Sequence, residues 1–131
     1  TMEQCTEDLA VSERITSFVV PLGATVHMNG TAIFLCVASL FLVQATGTTL
    51  GGSGYLTILT LATLGSIGAV AIPSIGIVFL IVILETLGVA TAGVALVLGV
   101  DRVLDMARTV TNVTGDAVVA VIISAWEKPN S

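Results

Sequence analysis

The sequence predicts an all-α membrane protein: a broken transmembrane helix, a re-entrant helical hairpin and a charged C-terminal transmembrane helix. Three observations predict it. Charged residues are scarce, long apolar stretches are interrupted by polar or Gly/Pro clusters, and the last of them carries a stripe of ionisable side chains. Of 131 residues, 55% are hydrophobic and only 10% charged, with a mean hydropathy of +1.07. A soluble domain carries about a quarter charged residues. So few charges would leave large apolar patches against water, which argues against a soluble helical core and for a lipid bilayer as the solvent.

Residues 1–14 are polar and hold Glu3, Glu7, Asp8 and Glu13, four of the nine acids behind the net charge of -5. They read as a solvated loop or helix end. No basic-then-apolar leader of the secretory type is evident. The chain opens on Thr1-Met2, and a piece of a longer protein is expected. Cys5 and Cys36 give no disulfide framework, and Cys36, inside an apolar run, reads as a packing residue. The basic residues are Arg14, Arg102, Arg108 and Lys128, too few and too scattered for a nucleic-acid surface.

Residues 15–46 are apolar but interrupted at His27-Met28-Asn29-Gly30-Thr31. A continuous helix of that length exceeds the ~20 residues that cross a bilayer, so a helix broken near mid-membrane is expected. Residues 46–54 form a Gly/Thr-rich turn. Residues 55–87 are apolar again, with a Gly/Ser/Pro tip from Gly65 to Gly76. The flanks are too short to span alone, and together they read as a re-entrant hairpin. The open backbone of such a tip is tolerated at membrane depth only against protein or in a watery cavity. Residues 93–125 form the last apolar helix, followed by Trp126 near an interface and a polar tail.

That helix carries Asp101, Asp105, Arg108, Asn112 and Asp116, spaced by four, three, four and four. At helical pitch the five fall within an arc of roughly 80° and run about 22 Å along the axis. Thr109 sits at the edge of the arc, Arg102 falls outside it, and the opposite face is Val, Leu, Met and Ala. Each ionisable residue inside a membrane helix costs about 2.5–3.5 kcal/mol on insertion scales. One reading is a self-neutralising network: Asp105 with Arg108, and Asp101 or Asp116 with Asn112 and backbone. The other is a ligand or ion path, favoured because the stripe holds three acids and one base. Arg108 offers a planar fork of donors for a carboxylate. Asp105 can accept from an ammonium, Asn112 both donates and accepts, and Asp116 is a hard oxygen ligand for a small cation. The set fits an acidic amino acid. No nucleophile–base pair stands out, so an enzyme is not expected.

The stretch Asp101-Arg-Val-Leu-Asp105-Met-Ala-Arg108-Thr109-Val-Thr-Asn112-Val-Thr-Gly-Asp116 resembles the last transmembrane helix of the glutamate/aspartate transporters, the dicarboxylate/amino acid:cation symporters. Their motif there is D-x-x-x-D-x-x-R-T-x-x-N-V-x-G-D. Residues 21–31, Pro21 to Thr31, resemble the family's broken seventh helix, usually PLGATINMDGT. Residues 66–76 resemble the tip of its second re-entrant hairpin. Three motifs in the right order cover nearly the whole chain.

The resemblance implies sodium-coupled secondary transport of an acidic amino acid or dicarboxylate, with sodium ions co-transported and no organic cofactor. Residues 1–131 would be the C-terminal part of the substrate-binding transport domain, with the scaffold helices and the first re-entrant hairpin lying outside it. The full-length protein would be a homotrimer, multi-pass in the plasma membrane. Arg108 would hold the substrate side-chain carboxylate and Asp105 the amino group. Asn112 and Thr109 would contact the main-chain end, with Thr31 nearby, and backbone at Ala71, Ile72 and Gly76 would close over it. Asp116 with carbonyls of Gly23, His27 and Asn112 would form one sodium site. Thr25, Met28, Ser66, Ile67 and Ala69 would form a second.

Two departures from the family pattern matter. Its Asn-Met-Asp is His27-Met28-Asn29 here. The family's aspartate contributes to a further sodium site; Asn29 lacks that charge, so fewer coupled sodium ions are expected. Histidine as a residue type changes charge near neutral pH, which opens a proton-coupled alternative. A neutral His27 bonded to backbone is the preferred reading. The tip carries Ala69, Ala71 and Ser74 where relatives often have Thr and Gly, which implies a stiffer gate or a changed substrate size. Arg108 argues against the neutral amino-acid branch, which usually lacks it. The rival classes are an uncoupled channel-like or ligand-binding relative, separated from a carrier by uphill accumulation, and a ligand-free structural bundle.

Overall fold

The computed structural model describes residues 1–69 and 74–127. All regular structure among them is helical: α1 (Met2–Glu7), α2 (Glu13–Val26), α3 (Asn29–Ala45), α4 (Gly52–Gly68), α5 (Ile75–Thr86), a 3-10 turn (Thr91–Gly93) and α6 (Val94–Glu127).

The start of α2 is capped by Ser12, whose hydroxyl accepts from Ile15 N at 3.4 Å, satisfying one of the free amides of the first turn. The helix stops where the sequence is polar. His27 and Met28 leave helical geometry (φ -112, ψ 64 and φ -101, ψ 59), and α3 starts at Asn29. The new helix end is capped from a distance, since Gly30 N donates to Asn112 Oδ1 at 2.8 Å. At their C-termini, α3 and α5 end alike. Gly47 (φ +69) and Gly88 (φ +68) take the left-handed position, and Thr48 N and Val89 N reach back to Val43 and Leu84 carbonyls. Both are Schellman closures, which glycine favours.

The main core joins α3, α4, α5 and the start of α6. Leu35, Leu42, Ile58, Leu80, Ile83 and Leu84 are almost wholly buried in it. A second cluster (Cys5, Val11, Ile15, Val19, Val20 and Ala120) joins α1 and α2 to the far end of α6. Residues 1–14 are therefore partly a packed element rather than only a solvated loop. Cys5 and Val11 face inward while Glu3, Glu7, Asp8 and Glu13 stay outside. A short helix lets one polar segment do both, since its acids and its thiol fall on different faces. Cys36 packs at the edge of the main core.

The second difference concerns the tip. The helix of α4 runs on through Gly65 and Ser66 to Gly68, so the non-helical part starts later than the Gly/Ser pattern suggests. Gly65 lies close against Phe79 of α5, and Ser66 Oγ donates back to the Thr63 carbonyl at 2.8 Å. Glycine here permits close helix approach, and the serine hydroxyl is satisfied within its own helix.

The outer surface is apolar. Phe18, Val37, Leu56, Leu64, Val103, Met106, Val110 and Trp126 are all more than 60% exposed. Residues Glu13–Ala45 and Thr91–Glu127 are long and apolar enough to cross a membrane, by length and composition.

The α3–α6 crossing is tight at Gly30. A β-carbon there would meet the Arg108 carbonyl oxygen at 2.6 Å and its Cα at 3.0 Å. Both are backbone atoms of a regular helix and cannot swing aside. Gly30→Ala is expected to destabilise the fold by about 1–3 kcal/mol, read as a lowered thermal midpoint in detergent. An unchanged midpoint would mean that α3 and α6 separate freely.

Candidate functional site

Helical periodicity places the stripe of α6 against α3, α2 and the start of α5. Arg108 is only 7% exposed although it is charged. Its Nη2 donates to Asp101 Oδ1 at 3.0 Å and to Asp105 Oδ1 at 2.9 Å. Its guanidinium carbon lies 4.2 Å from the Phe34 ring centroid, a cation–π distance. Nε is buried without a partner among the described residues, and Nη1 presses against Gly76, where no β-carbon would fit. One corner of the fork thus serves two carboxylates, and the Nη1 corner faces α5.

The two acids differ. Asp101 is buried with the arginine, whereas the Asp105 side chain is 41% exposed. Asp105 can therefore meet a partner arriving from the cleft. Thr109 Oγ1 donates to the Asp105 carbonyl at 2.9 Å, an ordinary hydroxyl-to-helix bond. Asn112 spends its carbonyl oxygen on the α3 cap.

One turn on, Asp116 is buried, and its Oδ1 lies 3.1 Å from His27 Nδ1. The partner of His27 is thus a carboxylate rather than the backbone bond preferred from sequence. The helix break turns the ring towards α6, where it passes over Gly115, and Asp116 in turn packs against Gly23. Asn29 Oδ1 is buried nearby without a hydrogen bond among the described residues.

A cavity of about 260 Å³ joins these groups. Of the residues expected from sequence it is lined by Gly23, His27, Met28, Thr31, Gly76, Asp105, Arg108, Thr109, Asn112 and Asp116. Ala24, Ser74, Ile75 and Val113 also line it and were not anticipated as site residues; nor was Phe34 beneath the guanidinium. Thr25, Ser66, Ile67 and Ala69 lie outside it. Thr25 and Ser66 hydroxyls bond to carbonyls of their own helices, and Ile67 is half exposed. Ala71 and Ile72 lie outside the described residues.

Chemically, the cavity presents a guanidinium corner, a half-exposed carboxylate one turn away, an amide and three hydroxyls, with a buried carboxylate at its far end. No group of three His, Cys, Asp or Glu that could hold a metal forms among the described residues. A cation held at Asp116 would complete its shell with backbone and amide oxygens, the ligands that hard ions accept. The Gly23 carbonyl already accepts from His27 N at 2.8 Å, and a carbonyl oxygen has a second lone pair.

The same residues lie within a wider sequence match. The chain is 40% identical to a Bacillus subtilis proton/sodium-glutamate symport protein, over 92% of this chain and 28% of that one. It is 44% identical to the Mus musculus excitatory amino acid transporter 2, over 92% and 21%. It is 42% identical to the Homo sapiens neutral amino acid transporter A, over 93% and 23%. The chain thus spans less than a third of the length of these relatives. The family model described as Sodium:dicarboxylate symporter family matches residues 1–126. With nearly every residue inside that match, the chain belongs to the sodium:dicarboxylate symporter family, a family of membrane transporters and not of enzymes.

Proposed function

We propose that this chain is the C-terminal part of the transport domain of a sodium-coupled symporter for acidic amino acids or dicarboxylates. The observation that supports it most is the buried Arg108, with Nη1 turned to Gly76 and Asp105 half exposed beside it in one cavity. A carboxylate on the arginine and an ammonium on Asp105 describe the two ends of an amino acid with an acidic side chain. Asn112, Thr109 and Thr31 supply the neutral polar groups between. Sodium, as co-transported cargo, is assigned to Asp116 with nearby oxygens, and a second ion to Thr25, Met28, Ser66, Ile67 and Ala69.

In this reading α2 and α3 form the broken membrane helix, and α4 with α5 the re-entrant hairpin. The length of α5, about 18 Å, supports the latter, since a bilayer core is about 30 Å thick. The full-length protein is proposed as a homotrimer in the plasma membrane.

The 3.1 Å contact between His27 and Asp116 favours one alternative. An imidazolium there would occupy the place of a cation, and coupling would be to protons. Binding of L-aspartate and L-glutamate to the full-length protein, with and without sodium at about pH 5.5 to 8, separates the two. The expected result is binding that requires sodium and persists in His27→Gln with a sodium requirement within about threefold of the parent. Binding that ignores sodium, follows pH and loses its pH dependence in His27→Gln would establish proton coupling instead. No acidic-substrate binding under any condition would end the carrier reading for these substrates.

A further inference from the structure

The reading of Arg108 as a carboxylate site gives no task to Ser74, the residue at the start of α5. Ser74 stands at φ +64, in the left-handed region that side chains other than Gly, Asn and Asp occupy at a cost. Its hydroxyl donates to Asp101 Oδ2 at 3.3 Å. The other oxygen of that buried carboxylate accepts from Arg108 Nη2 at 3.0 Å. The Ser74 carbonyl accepts from Ile77 N at 3.0 Å, closing the first turn of α5. Two residues on, Gly76 lies against the opposite corner of the same guanidinium.

A carboxylate gripped at one oxygen can rotate about its Cβ–Cγ bond. Gripped at both, its plane is set. Asp101 is gripped by α5 through Ser74 and by α6 through Arg108, so the three side chains tie the start of α5 to the guanidinium. An alanine in the same backbone would keep the strained turn and lose the tie. A glycine would relieve the strain and lose the tie as well.

We propose that Ser74 is a positioning residue of the carboxylate site, acting through Asp101 to orient Arg108 and to hold the first turn of α5 against α6. The consequence for ligands rests on the carboxylate reading of Arg108; the mechanical tie does not.

The test is a cycle of Ser74→Ala, Ser74→Gly, Asp101→Leu and Ser74→Ala/Asp101→Leu in the full-length protein, with two readouts; leucine matches the aspartate in shape and keeps neither hydrogen bond. Without substrate, hydrogen–deuterium exchange of amides in the first turns of α5 is expected to quicken by about threefold to tenfold in each single variant, the worth of one modest hydrogen bond. The double variant is expected to exchange no faster than Asp101→Leu. With substrate, Ser74→Ala and Ser74→Gly are expected to weaken L-aspartate binding by a similar factor, while maximal uptake stays within about twofold. Exchange and affinity left unchanged in Ser74→Ala, which keeps the parent's backbone strain and loses only the hydroxyl, would overturn the proposal. So would a Ser74→Ala effect that persists in the Asp101→Leu background. A parent protein that binds no L-aspartate would defeat the reading of Arg108, while the exchange cycle would still decide the tie.

Discussion

Arg108→Ala in the full-length protein is expected to weaken L-aspartate and L-glutamate binding by about 100-fold or more, and any neutral amino acid far less. The magnitude follows from what the side chain does. A desolvated charge pair that loses one partner costs about 2–5 kcal/mol, and here the loss falls on the substrate carboxylate. A second cost falls on the protein. Asp101 is buried, and its charged partner is Nη2; among the described residues, without the guanidinium it keeps only the Ser74 hydroxyl. A lowered thermal midpoint is therefore expected in the same variant. Arg108→Lys separates the two effects. An ammonium can neutralise Asp101 but cannot serve that acid and a substrate carboxylate with a planar fork. Lysine is expected to restore most of the thermal midpoint and little of the affinity. Equal loss of acidic and neutral substrates in both variants would mean that Arg108 holds the fold and does not read the ligand.

How much of this was legible in the sequence depends on how far apart the partners lie. The stripe from Asp101 to Asp116 was readable because one regular helix fixes the angle between its residues. The break at His27 was readable because a polar Asn-Gly pair interrupts an apolar run. The pairings across elements were not readable from periodicity; the resemblance alone set His27 and Asp116 at one site, through the His27 carbonyl rather than its ring. His27 meets Asp116 across 89 positions and Gly30 meets Asn112 across 82; no periodicity within one helix carries that information. Sequence reading set Asp105 against Arg108 and left Asp101 open. The structure gives both acids to one nitrogen, because residues three and seven before the arginine share its face. Phe34 was invisible as a site residue, since an aromatic ring in an apolar helix looks the same whether it packs on leucine or on a guanidinium. The Gly/Ser pattern after Leu64 misled in the other direction. Gly65, Ser66 and Gly68 look like breakers, yet they continue α4; Gly65 lies close against Phe79 of α5, Ser66 bonds within its own helix, and nothing crowds Gly68. Exposed Val103, Met106 and Val110 lie on the face of α6 that helical periodicity sets opposite the polar stripe.

Asp116→Asn is the variant that should decide what the far end of the cavity holds. The substitution is nearly isosteric. Space matters because Asp116 lies directly against Gly23, with no room for a larger group. The amide can still pair with His27 Nδ1, now 3.1 Å from the carboxylate, so the fold has little reason to change. What is lost is one formal charge at a buried position, where attraction to a cation is much stronger than in water. If sodium is the cargo, the sodium concentration for half-maximal L-aspartate binding is expected to rise by about 100-fold. The sodium-induced rise in thermal midpoint should vanish with it, since a ligand stabilises only the state that binds it. If the imidazolium of His27 is the coupled cation, sodium changes neither quantity in either protein. L-aspartate binding then depends on pH in the parent and loses that dependence in Asp116→Asn. A variant that keeps both the parent's sodium requirement and its pH response would leave Asp116 with packing against Gly23 and His27 as its whole role. The coupling site would then have to be sought among oxygens away from this carboxylate.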